Sequence, residues 1–119
     1  MFLKKKILIG IVTYNRCKLL QRCISAIIPQ IQDINLKADL LIINNSSTDD
    51  TVKFLNENKI KYITMENKGP VYGWEKLINT SIDKKYDYLW LMDDDGYPEK
   101  NSLKILSSFA ENNKFSIIN

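Results

Sequence analysis

The sequence predicts an α/β domain, a Rossmann-like and mostly parallel sheet with helices on both faces. Three features of the 119 residues predict it. Short, continuous apolar runs recur along the chain. Stretches with apolar residues spaced by three and four separate those runs. Strongly polar segments follow the runs rather than the helices. A strand covered on both faces reads as a continuous apolar run, and strict alternation of strand and helix yields a parallel sheet.

The elements follow in order. Ile7-Leu8-Ile9-Gly10-Ile11-Val12 is the first buried strand. Leu20, Cys23, Ile24, Ile27, Ile28 and Ile31 mark a helix with one apolar face, which Pro29 is expected to kink or end early. Leu40-Leu41-Ile42-Ile43 is the second strand. Ser47-Thr48-Asp49-Asp50 supplies capping residues for a short helix carrying Val52 and Leu55. Residues 60–64 form a weaker third strand. Gly69 and Pro70 then punctuate, and a helix follows with Val71, Trp74, Leu77, Ile78 and Ile82. Tyr88-Leu89-Trp90-Leu91-Met92 is the fourth strand. Pro98 is expected to open a last helix with Leu103, Leu106, Phe109 and Ala110 on its inner face. Residues 115–118 read as a fifth strand.

Composition narrows the function. Seventeen Lys and Arg against fourteen Asp and Glu leave a net charge of +3, with 45% apolar and 26% charged residues. This is the composition of one globular domain, residues 1–119, not of a disordered tail or a coiled coil. No basic stripe marks a nucleic-acid binder; the one dense run, Lys4-Lys5-Lys6, reads as a solvated cap on the first strand. The absence of His removes imidazole bases and every zinc site that needs one. Cys17 and Cys23 lie about 600° apart around a helix, so they face different ways and read as reduced. The first apolar run is too short for a signal-peptide core or a membrane span, and a cytoplasmic location is expected.

In parallel sheets of this kind, ligands sit outside the carboxyl ends of the strands, where the strand order reverses. The segments there are Thr13-Tyr14-Asn15-Arg16, Asn44-Asn45-Ser46-Ser47-Thr48-Asp49, Met65-Glu66-Asn67-Lys68-Gly69 and Asp93-Asp94-Asp95-Gly96. Three adjacent carboxylates repel one another, and a cation would relieve them. On an extended segment Asp93 and Asp95 point to one side and Asp94 to the other. Two carboxylates on one side form part of a hard-cation site for Mg²⁺ or Mn²⁺, with room for diphosphate oxygens. The triplet also reads as an acidic turn capping the next helix. No glycine-rich phosphate loop is present, so phosphate charge would fall to the metal, Arg16 and Lys68. Asn15, Asn44, Asn45 and Asn67 offer donors and acceptors suited to a base edge and ribose hydroxyls, and singly they also serve turns and caps.

These motifs, with the run from Tyr88 to Gly96 and the later Pro98, resemble the family-2 glycosyltransferases of the GT-A fold. The tail of the pattern is most similar to the galactofuranosyl and rhamnosyl transferase branch. The resemblance covers residues 7–119 and implies the nucleotide-sugar-binding half of such an enzyme. It implies that Thr13, Tyr14, Asn15 and Arg16 line the base pocket, with Arg16 near the diphosphate. Asn44 stands where the family usually has an Asp that pairs with uracil, and Asn67 matches a sugar-nucleotide contact. Asp93 and Asp94 would meet the ribose and sugar, and Asp93 with Asp95 the metal, Mn²⁺ or Mg²⁺. Pro70, Val71 and Tyr72 replace small residues of the pattern, and Glu75 stands where an Asn is common.

The implied reaction moves a sugar from a nucleoside diphosphate sugar, UDP-linked, to a glycan or glycolipid acceptor by metal-assisted inverting displacement. Such a displacement needs a general base, and no residue of this chain is a candidate for it. The acceptor-binding half of the family pattern is missing as well. The family's substrates add an expected location at the membrane periphery. Two other readings stand beside this one. One is a non-catalytic nucleotide- or partner-binding module whose sheet edge another chain covers; on either reading a homodimer or larger assembly built from the C-terminal edge is expected. The other, a receiver- or phosphatase-like domain, is weakened because Thr13-Tyr14-Asn15 stands where an Asp would follow the first strand.

Overall fold

The structure, a computed structural model, describes residues 5–32, 37–111 and 117–118, with side chains as far as residue 109. Its elements are β1 (Lys6–Thr13), α1 (Cys17–Gln32), β2 (Lys37–Asn44), α2 (Thr51–Glu57), β3 (Tyr62–Thr64), α3 (Pro70–Asp83), β4 (Tyr88–Asp93), α4 (Ser102–Glu111) and β5 (Ile117–Ile118). The strand order is β3-β2-β1-β4-β5, and every pairing is parallel. The α/β sheet expected from the alternation is therefore present. Among the described residues no helix is long and apolar enough to cross a membrane.

β1 is the central strand, and its two faces are built differently. Ile7, Ile9 and Ile11 point to one side, where Ile27 and Cys23 of α1, Leu55 of α2 and Leu103 of α4 pack on them. Gly10 and Val12 point to the other side, toward α3. There the contact is made by notches. A Cβ on Gly10 would lie 2.7 Å from the Leu77 methyls, and one on Gly73 would lie 2.9 Å from both Val12 methyls. Two missing side chains let the helix lie directly on the sheet.

The close seat corrects the expected inner face of α3. Gly73, Leu77 and Ser81 are its buried residues, whereas Val71, Trp74 and Ile82 are exposed. The stripe runs at a spacing of four, with small residues, Gly73 and Ser81, on either side of Leu77, which a count of apolar positions overlooks. Pro29 neither ends nor shortens α1, which runs on to Gln32. It lies on the exposed side, where water can take the carbonyl that loses its N–H partner.

The last helix also departs from expectation. It starts at Ser102, not at Pro98. Gln30 of α1, 8% exposed, explains the later start. Its Oε1 accepts the Leu103 N–H at 2.8 Å, and its Nε2 donates to the Glu99 carbonyl at 2.9 Å. The helix is capped from a neighbouring helix, so its first turn forms where that cap can reach. Leu103 is buried and Leu106 partly so, but Phe109 is 60% exposed and Ser107 is buried in its place. The side chains of Ala110 and of β5, and the rest of the expected C-terminal edge, lie outside what the structure describes.

Gly73→Val tests the notch. The added methyls would press on Val12, a branched side chain with little freedom to turn away. A loss of about 1–3 kcal/mol is expected in urea unfolding, with the circular dichroism of the folded state retained. Unchanged stability would show that α3 is not held by this contact.

Candidate functional site

Parallel pairing carries the polar segments to one edge of the sheet. Val12 is in register with Asp93, Thr13 with Asn44, and Asn44 with Thr64. Strand order reverses between β1 and β4, so this edge is also the switch point. A cavity of about 400 Å³ opens there, lined by Val12, Thr13, Tyr14, Arg16, Asn45, Asn67, Pro70, Trp74, Asp93 and Asp94.

Asp94 is the fixed point of the edge. It is 6% exposed and accepts the Thr13 hydroxyl at 2.9 Å. Arg16 reaches its other oxygen at 3.3 Å and approaches Asp95 at 3.8 Å. Burial pushes the Asp94 carboxyl above its ordinary range; the Thr13 bond and Arg16 pull it back, and Asp95 and Asp93 add to the rise. Asp93 and Asp95 are exposed, but the segment is not extended as expected: β4 ends at Asp93, and Asp94 and Asp95 form a turn.

The carboxylate turn is anchored from below by groups that sequence reading passed over. Arg22 of α1 donates to the Asp95 carbonyl at 3.1 Å, and its guanidinium lies 5.6 Å from the centre of the Tyr97 ring. Gly96 closes the turn with an N–H to the Asp93 carbonyl at 3.0 Å. The Cys23 thiol lies against Met92 and the Asp93 carbonyl. Burial, reinforced by Asp94, pushes that thiol up to about 11, which makes it a packing group rather than a nucleophile.

The asparagines divide into two sets. Asn15, in the left-handed region at φ 50°, joins the loop after β1 to the loop after β2. Its Oδ1 accepts the N–H groups of Thr48 and Asp49, and its own N–H donates to the Ser47 hydroxyl. Asn44 is 1% exposed, and both ends of its amide are in use. Its Nδ2 donates to Thr64 at 3.1 Å, and its Oδ1 accepts the Ser47 N–H at 3.0 Å. Neither residue lines the cavity. Asn67 and Asn45 do. Asn67 accepts the Gly69 N–H at 3.1 Å. Asn45 is 4% exposed, its Nδ2 lies 3.5 Å from the Gly69 carbonyl, and its Oδ1 has no partner among the described residues. A buried acceptor left this way costs about 1–3 kcal/mol.

Of the residues expected at the site, the cavity therefore gathers Thr13, Tyr14, Arg16, Asn67, Asp93 and Asp94. Asn15, Asn44 and Asp95 stand outside its lining. Trp74 and Pro70 line it although the sequence placed them only in a helix and its start. The signal for Trp74 was its spacing from Gly73, which turns it off the buried stripe. Among the described residues no group of three Cys, Asp and Glu side chains comes together as a metal cage. The donors present are the hard carboxylate oxygens of Asp93 and Asp95. Oxygen donors of this kind suit an ion whose remaining ligands are phosphate oxygens and water, the usual setting of Mg²⁺.

Comparison with known proteins agrees with this geometry. The model of glycosyl transferase family 2 matches residues 8–119. An uncharacterized glycosyltransferase of Mycoplasma genitalium is 29% identical over 101 residues, 82% of this chain and 34% of that protein. The crystal structure of S. aureus TarS 1-349 superposes with a TM-score of 0.71 at 19% identity, over 90% of this chain and 32% of that one. A second structure of S. aureus TarS gives 0.69 at 22% identity, over 90% and 20%. The chain thus spans about a third of the curated relative it matches.

One prediction concerns the loop that frames the cavity. Asp49 joins two helices: it accepts the Cys17 N–H at the start of α1 and the Thr51 N–H at the start of α2. Burial alone would raise its carboxyl, but bonds from the Thr51 hydroxyl and N–H and from the Cys17 N–H bring it below the ordinary value. The stability it contributes is complete above the pKa of an unfolded Asp and is lost as pH falls through the lower folded value. Asp49→Ala should cost about 1 kcal/mol at neutral pH, the usual loss for a helix cap. The gap to the parent should close in acid. Urea titrations at neutral and acidic pH measure it, and a gap constant with pH would remove the assignment.

Proposed function

The chain belongs to glycosyl transferase family 2, and from that membership we propose that the cavity at the β1–β4 edge is the donor site of a sugar transfer. The donor is a nucleoside diphosphate sugar, UDP-linked. The observation that carries this reading is the convergence of Tyr14, Arg16, Asn67, Asp93 and Asp94 on one cavity at the switch point. Aromatic and amide groups suit a base and its ribose, and a cation beside carboxylates suits a metal-bound diphosphate.

Each residue then has a task. Arg16, 53% exposed while bound to Asp94, keeps guanidinium donors for diphosphate oxygens. Asp94, tied to Thr13, holds Arg16 in place rather than facing the ligand freely. Asp93 and Asp95 would hold Mn²⁺ or Mg²⁺, which, when bound, offsets the charge of the departing diphosphate. Asn67 takes ribose or sugar hydroxyls. In the inverting displacement, an acceptor hydroxyl forms a bond to the anomeric carbon as the bond to diphosphate breaks, and the hydroxyl proton passes to a general base. Neither that base nor the glycan or glycolipid acceptor site is assigned to a described residue of this chain.

Calorimetric titration with UDP, with and without Mn²⁺, tests the reading. The parent chain should bind UDP more tightly when Mn²⁺ is present. Asp95→Ala should abolish the Mn²⁺-dependent part and leave the circular dichroism unchanged. Arg16→Ala should weaken UDP about tenfold or more with or without metal, as loss of a charge-assisted bond implies. If Asp95→Ala keeps the full Mn²⁺ effect, the metal assignment is wrong. If the parent binds no UDP, the donor-site reading fails.

A further inference from the structure

No step of the proposed transfer uses the end of the sheet opposite the cavity, and that end is rich in lysine. Parallel pairing gathers the segments that lead into the strands as it gathers those that follow them. Lys6 is in register with Lys37, and its Nζ reaches the Lys84 carbonyl at 3.2 Å. Lys5, Lys37, Lys84 and Lys85 are exposed there. Lys61, which leads into β3, shares a groove with Lys84. Lys59 shares another with Lys61, beside Ala38 and Asp39 of β2. These lysines are scattered through the sequence from Lys5 to Lys85, so only the fold makes them one patch.

Little at this end neutralises them. Among the described residues the ion pairs are those of Arg16 with Asp94 and Asp95 and of Lys68 with Glu66, all elsewhere. Asp39 is engaged by the Tyr86 hydroxyl, and Asp87 by the Lys6 N–H. Glu57 and Asp83 stand at the ends of α2 and α3. Helix ends account for part of the pattern, because Lys59, Lys84 and Lys85 follow the carbonyl ends of α2 and α3, where a cation is favoured. Lys5, Lys37 and Lys61 lead into strands, where no helix end favours charge. Lys59 and Lys85 also occupy the left-handed region, at φ 55° and 58°, just past a helix where Gly is usual.

The kind of charge and its surroundings narrow the partner. The two arginines of the chain, Arg16 and Arg22, both bind the carboxylate turn at the other end. Lysines on flexible stems suit a diffuse anionic surface better than fork-like recognition of one fixed phosphate. Apolar surface lies among them. The groove beside Lys61 and Lys84, about 580 Å³, has Leu41, Ile60 and Ile63 in its wall. Ile82, 67% exposed, stands in the last turn of α3 next to Lys84 and Lys85. Anionic headgroups above hydrocarbon match both features, whereas a nucleic-acid duplex presents mainly its charge.

We propose that the lysine end of the sheet docks on an anionic lipid bilayer, with the lysines at the headgroups and Ile82 at the interface. This docking is independent of the donor-site reading. It turns the cavity away from the lipid, roughly 25 Å off, the length of the eight residues of β1.

Co-sedimentation with vesicles tests it. The unmodified chain should bind vesicles of phosphatidylcholine with about 30% phosphatidylglycerol, and not vesicles of phosphatidylcholine alone. Raising the salt from about 0.1 M to about 1 M shortens the screening length from about 10 Å to about 3 Å and should release it. Lys59→Gln, Lys61→Gln, Lys84→Gln and Lys85→Gln together should weaken binding about a hundredfold or more, since each lysine at such a surface contributes about fivefold. A matched set, Lys18→Gln, Lys53→Gln, Lys100→Gln and Lys104→Gln, removes the same charge from exposed positions near the starts of α1, α2 and α4. That set should weaken binding by less than about threefold, as charges beyond a screening length act little. Circular dichroism should show both sets folded as the parent is. Equal losses in the two sets would reduce the effect to net charge and overturn the proposal. So would failure of the unmodified chain to bind the anionic vesicles. Tighter binding of a DNA duplex or of polyglutamate through the same four lysines would also overturn it, by assigning this end to a macromolecule.

Discussion

Burial of one carboxylate at the junction of β1 and β4 sets the geometry of the whole open edge. Asp94 has lost most of its water, and the Thr13 hydroxyl and the Arg16 guanidinium replace it. A buried charge without such partners would be strongly destabilising. The three groups therefore hold one arrangement, and that arrangement dictates the others. Asp93 and Asp95 are turned outward because Asp94 is turned in. Arg16 stays beside them because its partner cannot move.

The same edge shows how polar residues at strand ends divide between support and exposure. Asn15, Asn44 and Asp49 spend their hydrogen bonds inside the protein. They tie the loop after β1 to the loop after β2 and start two helices. Their side chains match those a ligand would want, but backbone N–H groups at helix starts and turns compete for them. Those N–H groups are always near, whereas a ligand arrives only at intervals. Asn67 spends its oxygen on the Gly69 N–H, whereas Asn45 keeps an acceptor with no partner among the described residues.

The face under α3 has the opposite character. Its seat on β1 and β2 depends on side chains that are absent, at Gly10 and Gly73. The seat brings the first turn of α3 down beside the strand ends, with Pro70 and Trp74 at the cavity wall. Packing on one side of the sheet thus shapes a pocket at its end. Arg22 and Gln30 do similar work from α1, fixing the carboxylate turn and the start of α4 across long sequence separations.

Much of this was legible in the sequence. Continuous apolar runs in β1, β2 and β4 determined the strands, because burial on both faces leaves no room for alternation. Alternation with helices determined the parallel sheet, and parallel pairing determined that Thr13, Asn44, Asn67 and Asp93 reach the same edge. The carboxylate triplet itself announced charge at that edge. The tertiary structure alone decided which asparagine amide is spent and which is open, since Asn44 and Asn45 are chemically identical neighbours. It alone decided that α3 buries Gly73 and Ser81 rather than Trp74, and that α4 waits for Gln30 before it begins. Periodicity records where apolar surface is needed. Hydrogen-bond partners and close backbone approach depend on residues distant in sequence, and these are known only when the strands have come together.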